Sequence, residues 1–286
     1  MIDILLDALL DSLKLLPFLF ITYWLMELLE HKAGEKSEKV IEKAGRFGPM
    51  WGGILGAFPQ CGFSAAASSL YAGRIITMGT LISIYLATSD EMLPIFISES
   101  VEISLIIKIL AAKVLIGMIS GFIVEVFYTM FLKKKHEAMD IHTFCEQEHC
   151  KCEDSVLVSA CKHTLKIAIY IFLFTLILNF IISWVGEDKV SLLFTNVPVV
   201  GQLIAGLVGL IPNCAASVII TELYLEGIIG IGSMMSGLLV GAGVGLLILF
   251  RVNRRHIKEN LTILGILYAF GVVWGVIIEA FSGLFV

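Results

Sequence analysis

The stretch GAFPQCGFSAA, from Gly56 to Ala66, returns later in the chain as GLIPNCAASVI, from Gly209 to Ile219. The two copies lie 153 residues apart and share Gly, Pro, Cys and Ser at equivalent positions. The same shift continues to align identical residues beyond the motif, such as Ser83 with Ser236. The sequence therefore predicts two homologous halves, because a shared ancestor explains so extended a match better than chance.

A second pair of matching stretches closes the two halves. GMISGFIVEVF, from Gly117 to Phe127, aligns with GVVWGVIIEAF, from Gly271 to Phe281, after one residue of slip. Both carry Gly-x-x-x-Gly-x-x-x-Glu-x-Phe, and glycines at this spacing let membrane helices approach closely. We place the first repeat at 1–132, a connecting loop at 133–161 and the second repeat at 162–286.

The composition is that of an integral membrane protein. Apolar residues make up 58% of the 286 residues and charged residues 16%, and the mean hydropathy is +0.92. A soluble domain of ordinary composition contains fewer apolar residues. Runs long enough to cross a hydrocarbon core of about 30 Å are Ile4 to Leu29, Ile75 to Ile97, Ile103 to Leu132, Leu165 to Val185, Ile228 to Phe250 and Leu261 to Val286.

Other protein classes find little support in the chain. The net charge of -5 arises from acids and bases that lie in separate loops, so nucleic acid binding is not expected. The six cysteines do not form the pattern of a secreted disulfide framework. The first apolar run contains acidic residues and lacks a basic start, so we expect no cleavable signal. Common catalytic motifs are absent, which favours a protein that is not an enzyme.

The basic residues predict the orientation in the membrane. Lysines and arginines cluster in the loop at 32–46, at the start of the central loop and at 251–258, and such clusters favour the cytoplasmic side. The acidic loops around Glu99 and Glu187 then face outward. This arrangement predicts a multi-pass protein of the plasma membrane with both termini outside and the central loop in the cytoplasm.

The segments around Pro59 and Pro212 do not fit this scheme as single crossings. A full crossing at either place would put an odd number of spans between two loops that both read as cytoplasmic. We therefore predict two re-entrant hairpins, each broken at its proline. The predicted fold class is an all-α polytopic membrane protein with two inverted-topology repeats. Each repeat has three full transmembrane helices and one hairpin, about ten segments if hairpin arms are counted separately.

The hairpin tips are the first candidate cargo site. Broken helices place backbone carbonyls and helix N-termini near the membrane midplane, where transporters bind their substrates. The candidate ligands are Gln60, Cys61, Ser64, Asn213, Cys214 and Ser217. The alternative is that the prolines and small residues only permit tight helix packing.

An acidic pair lies within the second apolar run. Asp90 and Glu91 stand between Ala87 and the apolar stretch that begins at Met92. Carboxylates inside a span are costly, so they usually face a polar cavity and serve an ion or proton path. The alternative is a span that ends near Ala87. The matching place in the second half reads Gly241-Ala242-Gly243 and has no acid, so the acids belong to one half only.

Three further features could contribute to transport. The repeat-related Glu125 and Glu279 are candidates for proton coupling, or else anchors at the membrane interface. Glu27 and Lys113 are weaker intramembrane candidates, whose simplest role is a buried ion pair or a helix-end charge. The central loop could capture metal through His142, Cys145, His149, Cys150 and Cys152, or it could be an unstructured linker.

The stretches FPQCGFS (58–64), ATSDEMLP (87–94) and IPNCAAS (211–217) resemble the heavy-metal exporters related to the arsenical permeases. The resemblance implies ten membrane segments and efflux of arsenic or manganese. By position it implicates Gln60, Cys61, Ser64, Asp90, Glu91, Asn213 and Cys214.

The sequence leads to a functional hypothesis with open alternatives. Oxygen ligands together with thiols suit a borderline divalent metal such as manganese, exported by a proton-coupled secondary transporter. The alternatives are an efflux permease for trivalent arsenicals, an ion channel of the same architecture, a membrane enzyme or a metal sensor. We expect no resident cofactor, since the metal ion or metalloid is cargo. The expected partners are the lipid bilayer and that cargo, and a homodimer is left open.

Overall fold

The computed structural model describes residues 47–58, 61–89, 92–131, 164–173 and 199–284, together with the single positions 9, 13, 16, 17, 20, 21, 24, 161, 176, 177 and 180. The side chains of Cys61 and Cys214 lie outside this description. The described helices are α1 Gly48–Gly56, α2 Cys61–Ala72, α3 Met78–Ala87, α4 Met92–Ser98, α5 Ile103–Phe131, α6 Thr164–Leu173, α7 Val200–Gly209, α8 Cys214–Leu225, α9 Ile231–Val240, α10 Val244–Val252 and α11 Ile257–Ala280.

Four stretches within the described residues are long and apolar enough to cross a membrane. They are Met78–Ser98, Ile103–Met130, Ile231–Val252 and Arg254–Ala280. These positions agree with four of the six predicted spans, and the polytopic all-α class is confirmed. The run from Ile4 to Leu29 lies almost entirely outside the described residues, and the run from Leu165 to Val185 is represented by α6.

Two of these crossings are broken helices. α3 ends at Ala87, where Thr88 leaves the helical conformation with φ −56° and ψ 129°, and α4 begins at Met92. α9 ends at Val240 and α10 starts after Gly243, whose φ of 51° lies in the left-handed region. A residue with a Cβ rarely adopts that conformation, so glycine suits this break. The sequence predicted the two spans, whereas each is a pair of helices.

The helix bounds repeat with the same shift as the sequence. α2 begins at Cys61 and α8 at Cys214, and α3 begins at Met78 and α9 at Ile231, which is 153 residues in each case. α5 and α11 begin 154 residues apart, as the slip of one residue requires. Local structure therefore follows the sequence repeat helix by helix.

Tertiary contacts repeat as well. The Ser83 hydroxyl in α3 donates a hydrogen bond of 2.6 Å to the carbonyl of Pro49 in α1. The equivalent Ser236 in α9 donates one of 2.8 Å to the carbonyl of Gln202 in α7. Each hydrogen bond attaches the first arm of a proline-interrupted segment to the broken helix that follows it. A buried hydrogen bond of this kind contributes about 1 kcal/mol.

Glycines bring the long helices close to the broken ones. A Cβ added to Gly121 in α5 would lie 2.6 Å from the carbonyl oxygen of Gly79 in α3. A Cβ added to Gly275 in α11 would lie 2.7 Å from the carbonyl oxygen of Gly232 in α9. Any side chain would separate these helices, so the Gly-x-x-x-Gly pattern serves close backbone packing, as in membrane bundles generally.

The broken helices form the centre and the long ones the periphery. The most apolar window of the α9–α10 crossing is 89% buried inside the protein, whereas that of the α11 crossing is 28% buried. Large apolar side chains of α5 and α11 are therefore exposed on the outer surface, as lipid-facing side chains are. α2 of the first half packs against α10 of the second, and α8 of the second half packs against α4 of the first.

Candidate cargo site between the two halves

A small cavity lies where the ends of the broken helices meet. Its volume is about 20 Å³, enough for a water molecule or one dehydrated ion. The polar side chains of its wall are those of Thr88, Ser89, Lys113, Asn213 and Ser217. Glycines of α7, α9 and the following break line the rest, together with Met92, Ala216 and Leu238. Both halves thus contribute polar groups to one cavity inside an apolar bundle.

Lys113 of α5 is the charged side chain of the described wall. It is 1% exposed, and its ammonium donates hydrogen bonds to the carbonyl oxygens of Thr88 and, at 3.0 Å, of Leu238. Thr88 follows the end of α3, and Leu238 lies in the last turn of α9. The ammonium therefore joins the two halves through their main chains.

The break in α3 makes its last carbonyls available to the cavity. The final four carbonyls of a helix have no partner within that helix. Thr88 partly closes the helix end, because its hydroxyl donates a 2.8 Å hydrogen bond to the carbonyl of Ile84. Its own carbonyl is directed to Lys113 instead. A helix end also carries partial negative charge, which favours a cation at this place.

Two of the predicted hairpin ligands line the cavity. Asn213 is 5% exposed and precedes the first residue of α8, and Ser217 lies one turn into that helix. An asparagine before a helix and a hydroxyl in its first turn both present oxygen atoms near the helix N-terminus. The structure therefore brings Asn213 and Ser217 to the region where both halves meet.

Ser64, the repeat equivalent of Ser217, has a different environment. It is fully buried where α2 crosses α10, and a Cβ added to Gly245 would lie 2.8 Å from the Ser64 Cβ. One turn later, the Ser68 hydroxyl is 2.7 Å from both the Gly245 carbonyl and the Tyr85 hydroxyl. In this conformation α2 is packed tightly against the second half, whereas α8 borders the cavity.

Glu125 and Glu279 lie toward the C-terminal ends of α5 and α11, away from the level of the cavity. Each is twelve residues from the level of Lys113 in its repeat, which is about 18 Å along an α-helix. The N-cap residue of α9, Gly230, has no side chain to cap the helix. The Glu279 carboxylate instead accepts a 2.6 Å hydrogen bond from the Gly232 amide in the first turn. In the first half, a Cβ added to Gly79 would lie 2.7 Å from Oε2 of Glu125. Both carboxylates therefore adjoin the N-terminus of a broken helix, where negative charge is stabilising.

A family comparison agrees with this architecture. Residues 1–163 match a family model described as "Putative, 10TM heavy-metal exporter". The chain belongs to this exporter family. The resemblance stated from the three motifs is confirmed, although the match ends before the motif at 211–217. No curated protein and no solved structure matches the chain significantly. The exporter is thus a multi-span membrane protein of a metal efflux family.

Several predicted ligands of the exporter lie outside the described residues. They are Gln60, Asp90, Glu91 and the loop residues His142, Cys145, His149, Cys150 and Cys152, together with the side chains of Cys61 and Cys214. Within the described part of the chain, no group of three His, Cys, Asp or Glu side chains could hold a metal ion. The described wall offers hydroxyl, amide and main-chain oxygen instead.

Lys113 is only a weak candidate in the sequence, yet in the structure it lies in the wall of the cavity between the two halves. Its signal was a lysine inside an apolar run, and an ionisable residue at such a place is a candidate functional residue in a membrane protein. The residue at the equivalent place in the second repeat is Leu267, so the repeat alignment also singles out the lysine. Its carbonyl partners had no signal, because main-chain acceptors are common to every residue.

A second charged contact joins the halves at the end of α2. The Arg74 guanidinium donates hydrogen bonds of 2.6 and 3.0 Å to the two carboxylate oxygens of Glu259 in α11. The Tyr71 hydroxyl donates to the same carboxylate, and the guanidinium lies 5.5 Å from the Tyr71 ring centre. The equivalents of Arg74 and Glu259 are Gly227 and Leu105, so this contact belongs to one side of the molecule only.

Proposed function

We propose that the exporter moves a divalent transition metal cation, such as Mn²⁺, out of the cell by alternating access across the plasma membrane. The observation that carries this proposal is the cavity with polar side chains that both halves form at the breaks of α3 and α9. Cargo would bind there to Asn213 and Ser217, and to Asp90 and Glu91, which follow the wall residue Ser89 in the sequence. Hydroxyl, amide and carboxylate oxygens are suitable ligands for a hard or borderline divalent cation.

We infer that α1–α2 and α7–α8 are re-entrant hairpins. Gly48 at the start of α1 faces Thr80, and Gly56 at its end faces Ala87, so α1 and α3 run parallel. The short connection 73–77 joins the end of α2 to the start of α3. The chain therefore returns to the level where α1 began. The second half has the same arrangement, since Gly209 at the end of α7 faces the last turns of α9.

Opposite insertion of the halves is supported by two contacts. α3 and α9 end at one ammonium, as helices entering from opposite faces would. Arg74 contacts the start of α11, which follows the basic residues Arg254 and Arg255. Under the positive-inside rule both would lie on the cytoplasmic side. This orientation would leave both termini outside and the central loop inside. Inverted repeats of this kind permit alternating access by rocking one half against the other.

Proton coupling is the proposed energy source. Glu125 and Glu279 are the candidate carriers, because both are carboxylates within or near the spans. Their place beside the N-termini of α3 and α9 would let a change of protonation act on the broken helices. Metal capture by the His- and Cys-rich loop remains a further prediction of this proposal.

A second candidate cargo is a trivalent arsenical. α2 and α8 begin at Cys61 and Cys214, and thiolates are preferred by soft metals and metalloids. This candidate would use the hairpin cysteines, whereas the divalent metal would use Asp90 and the oxygen ligands. The two candidates therefore require different residues.

Sensitivity of cells that express the exporter distinguishes these candidates. The panel comprises Mn²⁺, Zn²⁺ and arsenite, tested with the wild type, Asp90→Asn and the double variant Cys61→Ser with Cys214→Ser. We expect the wild type and the thiol variant to protect against Mn²⁺ and Asp90→Asn to fail. Loss of arsenite protection in the thiol variant alone would instead favour the arsenical. Equal sensitivity of wild-type and empty-vector cells to every compound would reject metal efflux.

A further inference from the structure

The ion pair between Arg74 and Glu259 joins the two halves away from the cavity. Arg74 lies in the connection that precedes α3, and α3 reaches the cavity only at its other end, ten residues or about 15 Å further on. The two side chains are 15% and 17% exposed, so the pair borders solvent. Arg74 also takes part in further interactions, so its charge is well compensated. We call this place, where the end of α2 meets the start of α11, the first mouth.

The repeat-related place is the second mouth, and it has a different character. Gly227 at the end of α8 and Leu105 at the start of α5 occupy the positions of Arg74 and Glu259. Neither residue carries a charge. No atom of the described residues lies within 4 Å of a Cβ added to Gly227. The first mouth is thus closed by an ion pair, whereas there is free space around Gly227.

The backbone at Arg74 indicates that its side chain has a role. Arg74 has a φ of 58°, and Gly227 at the equivalent position has a φ of 73°. Glycine adopts this left-handed region freely, whereas a residue with a Cβ adopts it at a cost. Such outliers cluster at functional sites and switch regions. The ion pair explains the arginine, since the turn itself favours glycine.

The helix that leads to the first mouth is attached to the other half by a second polar contact. The Ser68 hydroxyl in α2 donates a 2.7 Å hydrogen bond to the Gly245 carbonyl in α10. The repeat-related Thr221 hydroxyl donates instead to the Ser217 carbonyl within its own helix, α8. The two halves are therefore joined more closely along α2 than the repeat alone requires.

Another contact joins two residues that are themselves repeat-related. The Trp274 indole in α11 donates a 2.9 Å hydrogen bond to the Ser120 hydroxyl in α5, and the two positions are 154 residues apart. When a twofold rotation relates two halves, the midpoint between equivalent atoms lies on the rotation axis. Equivalent residues that touch, as in an isologous interface, must therefore lie close to that axis.

The two kinds of contact respond differently to alternating access. Inverted repeats can alternate by exchanging the conformations of their halves. The exchange maps the contact between Ser120 and Trp274 onto itself, so this contact can persist in both states. It maps the pair of Arg74 and Glu259 onto Gly227 and Leu105. Closure of one mouth then accompanies opening of the other.

We propose that Arg74 and Glu259 form the cytoplasmic gate of the exporter, and that the contact between Ser120 and Trp274 is its pivot. The ion pair is made while the cytoplasmic side is closed, and it breaks when the cavity opens to load cargo from the cytoplasm. Because the second mouth has no ion pair, charge stabilises the cytoplasm-closed state selectively. The inference rests on the proposed function, from which it takes alternating access and the orientation in the membrane.

The test compares the reactivity of a thiol near the gate with that of a thiol at the pivot. Ser68→Cys and Ser120→Cys each replace a serine that is 0% exposed. Alkylation of purified protein by a water-soluble maleimide is followed peptide by peptide in a mass spectrometer, so native cysteines do not interfere. Adding Arg74→Gln should raise the alkylation rate at position 68 at least about tenfold, because the charge-assisted hydrogen bonds are lost only from the closed state. The rate at position 120 should not change.

Two further variants complete the comparison. Arg74→Gly introduces the residue of the second half and relieves the left-handed backbone, so it opens the gate with less loss of stability than Arg74→Gln. It should raise the rate at position 68 by a similar factor. Arg255→Gln removes an exposed arginine that is not part of the pair and should leave both rates at their original values.

The outcomes separate the gate from a purely structural ion pair. Unchanged alkylation at position 68 in both Arg74 variants would overturn the inference. Acceleration at position 120 equal to that at position 68 would also overturn it, because the pair would then stabilise the whole fold. The rates are measured without metal. Selective acceleration at position 68 in a protein without Mn²⁺ flux would therefore support the gate and reject metal export.

Discussion

Substitution of the interhelical glycines offers a sharp test of the fold. In Gly275→Ala, the new Cβ would lie 2.6 Å from the Ser236 Cβ and 2.7 Å from the Gly232 carbonyl oxygen. Both distances are too short, so α9 and α11 must separate. Overpacking of this kind costs roughly 1–3 kcal/mol. Alanine also stabilises a helix interior by about 0.8–1.0 kcal/mol relative to glycine, which offsets part of the cost.

Gly265→Ala in the same helix is the matched control, because nothing lies within 4 Å of a Cβ at that position. It receives the same gain in helix propensity without the collision. Gly275→Ala should therefore be less stable than Gly265→Ala by roughly 1–3 kcal/mol, or at least about 2 °C in unfolding midpoint.

The assay is thermal unfolding of purified protein in detergent, followed by size-exclusion fluorescence. The repeat-related Gly121→Ala should behave like Gly275→Ala, since its Cβ would lie 2.6 Å from the Gly79 carbonyl oxygen and 2.8 Å from the Ser83 Cβ. An unfolding midpoint of Gly275→Ala equal to or above that of Gly265→Ala would refute the close packing of α9 and α11. A difference between the two repeat-related variants would refute their equivalence.

Two further predictions concern polar contacts. Arg74→Gln or Glu259→Gln should lower the free energy of unfolding by about 1–3 kcal/mol, because each removes the opposite charge from a largely buried ion pair. The double variant should lose less than the sum of the two single losses. Additive losses in thermal unfolding would argue against the contact. Glu279→Ala should lower the free energy of unfolding by about 0.5–2 kcal/mol, because it removes the acceptor for the Gly232 amide. Glu279→Gln keeps an oxygen there and should stay near the wild type. Equal unfolding midpoints for the Ala and Gln variants would contradict the capping role.

The sequence predicted the features that depend on a pattern in one dimension. Membrane spans follow from apolar runs, and the repeat follows from GAFPQCGFSAA and GLIPNCAASVI. The breaks after Ala87 and Val240 were only partly visible. The first break is followed by acids after Ser89, and the second contains Gly-Ala-Gly at 241–243. Because these residues differ in chemistry, the sequence comparison indicated a difference between the halves, although both places contain a helix break.

Contacts between distant residues could not be predicted in the same way. The sequence suggests proton coupling or interface anchoring for Glu279. Its hydrogen bond from the Gly232 amide could not be predicted, because that amide lies 47 residues away in α9. Lys113 was identified as a span residue, but its two carbonyl partners are 25 and 125 residues distant. Such partners depend on where two helices end in space, and main-chain acceptors have no signature in the sequence.

Transport by purified protein tests the central claim that this cavity carries a metal cation. The measurement is Mn²⁺ flux into a fluorescent indicator inside proteoliposomes, with and without a pH gradient, for the wild type and for Asn213→Ala, which removes an amide oxygen from the cavity wall. We predict flux well above that of empty liposomes, dependence on the pH gradient, and at least about a tenfold loss in Asn213→Ala. Flux equal to that of empty liposomes, or undiminished flux in Asn213→Ala, would contradict the account.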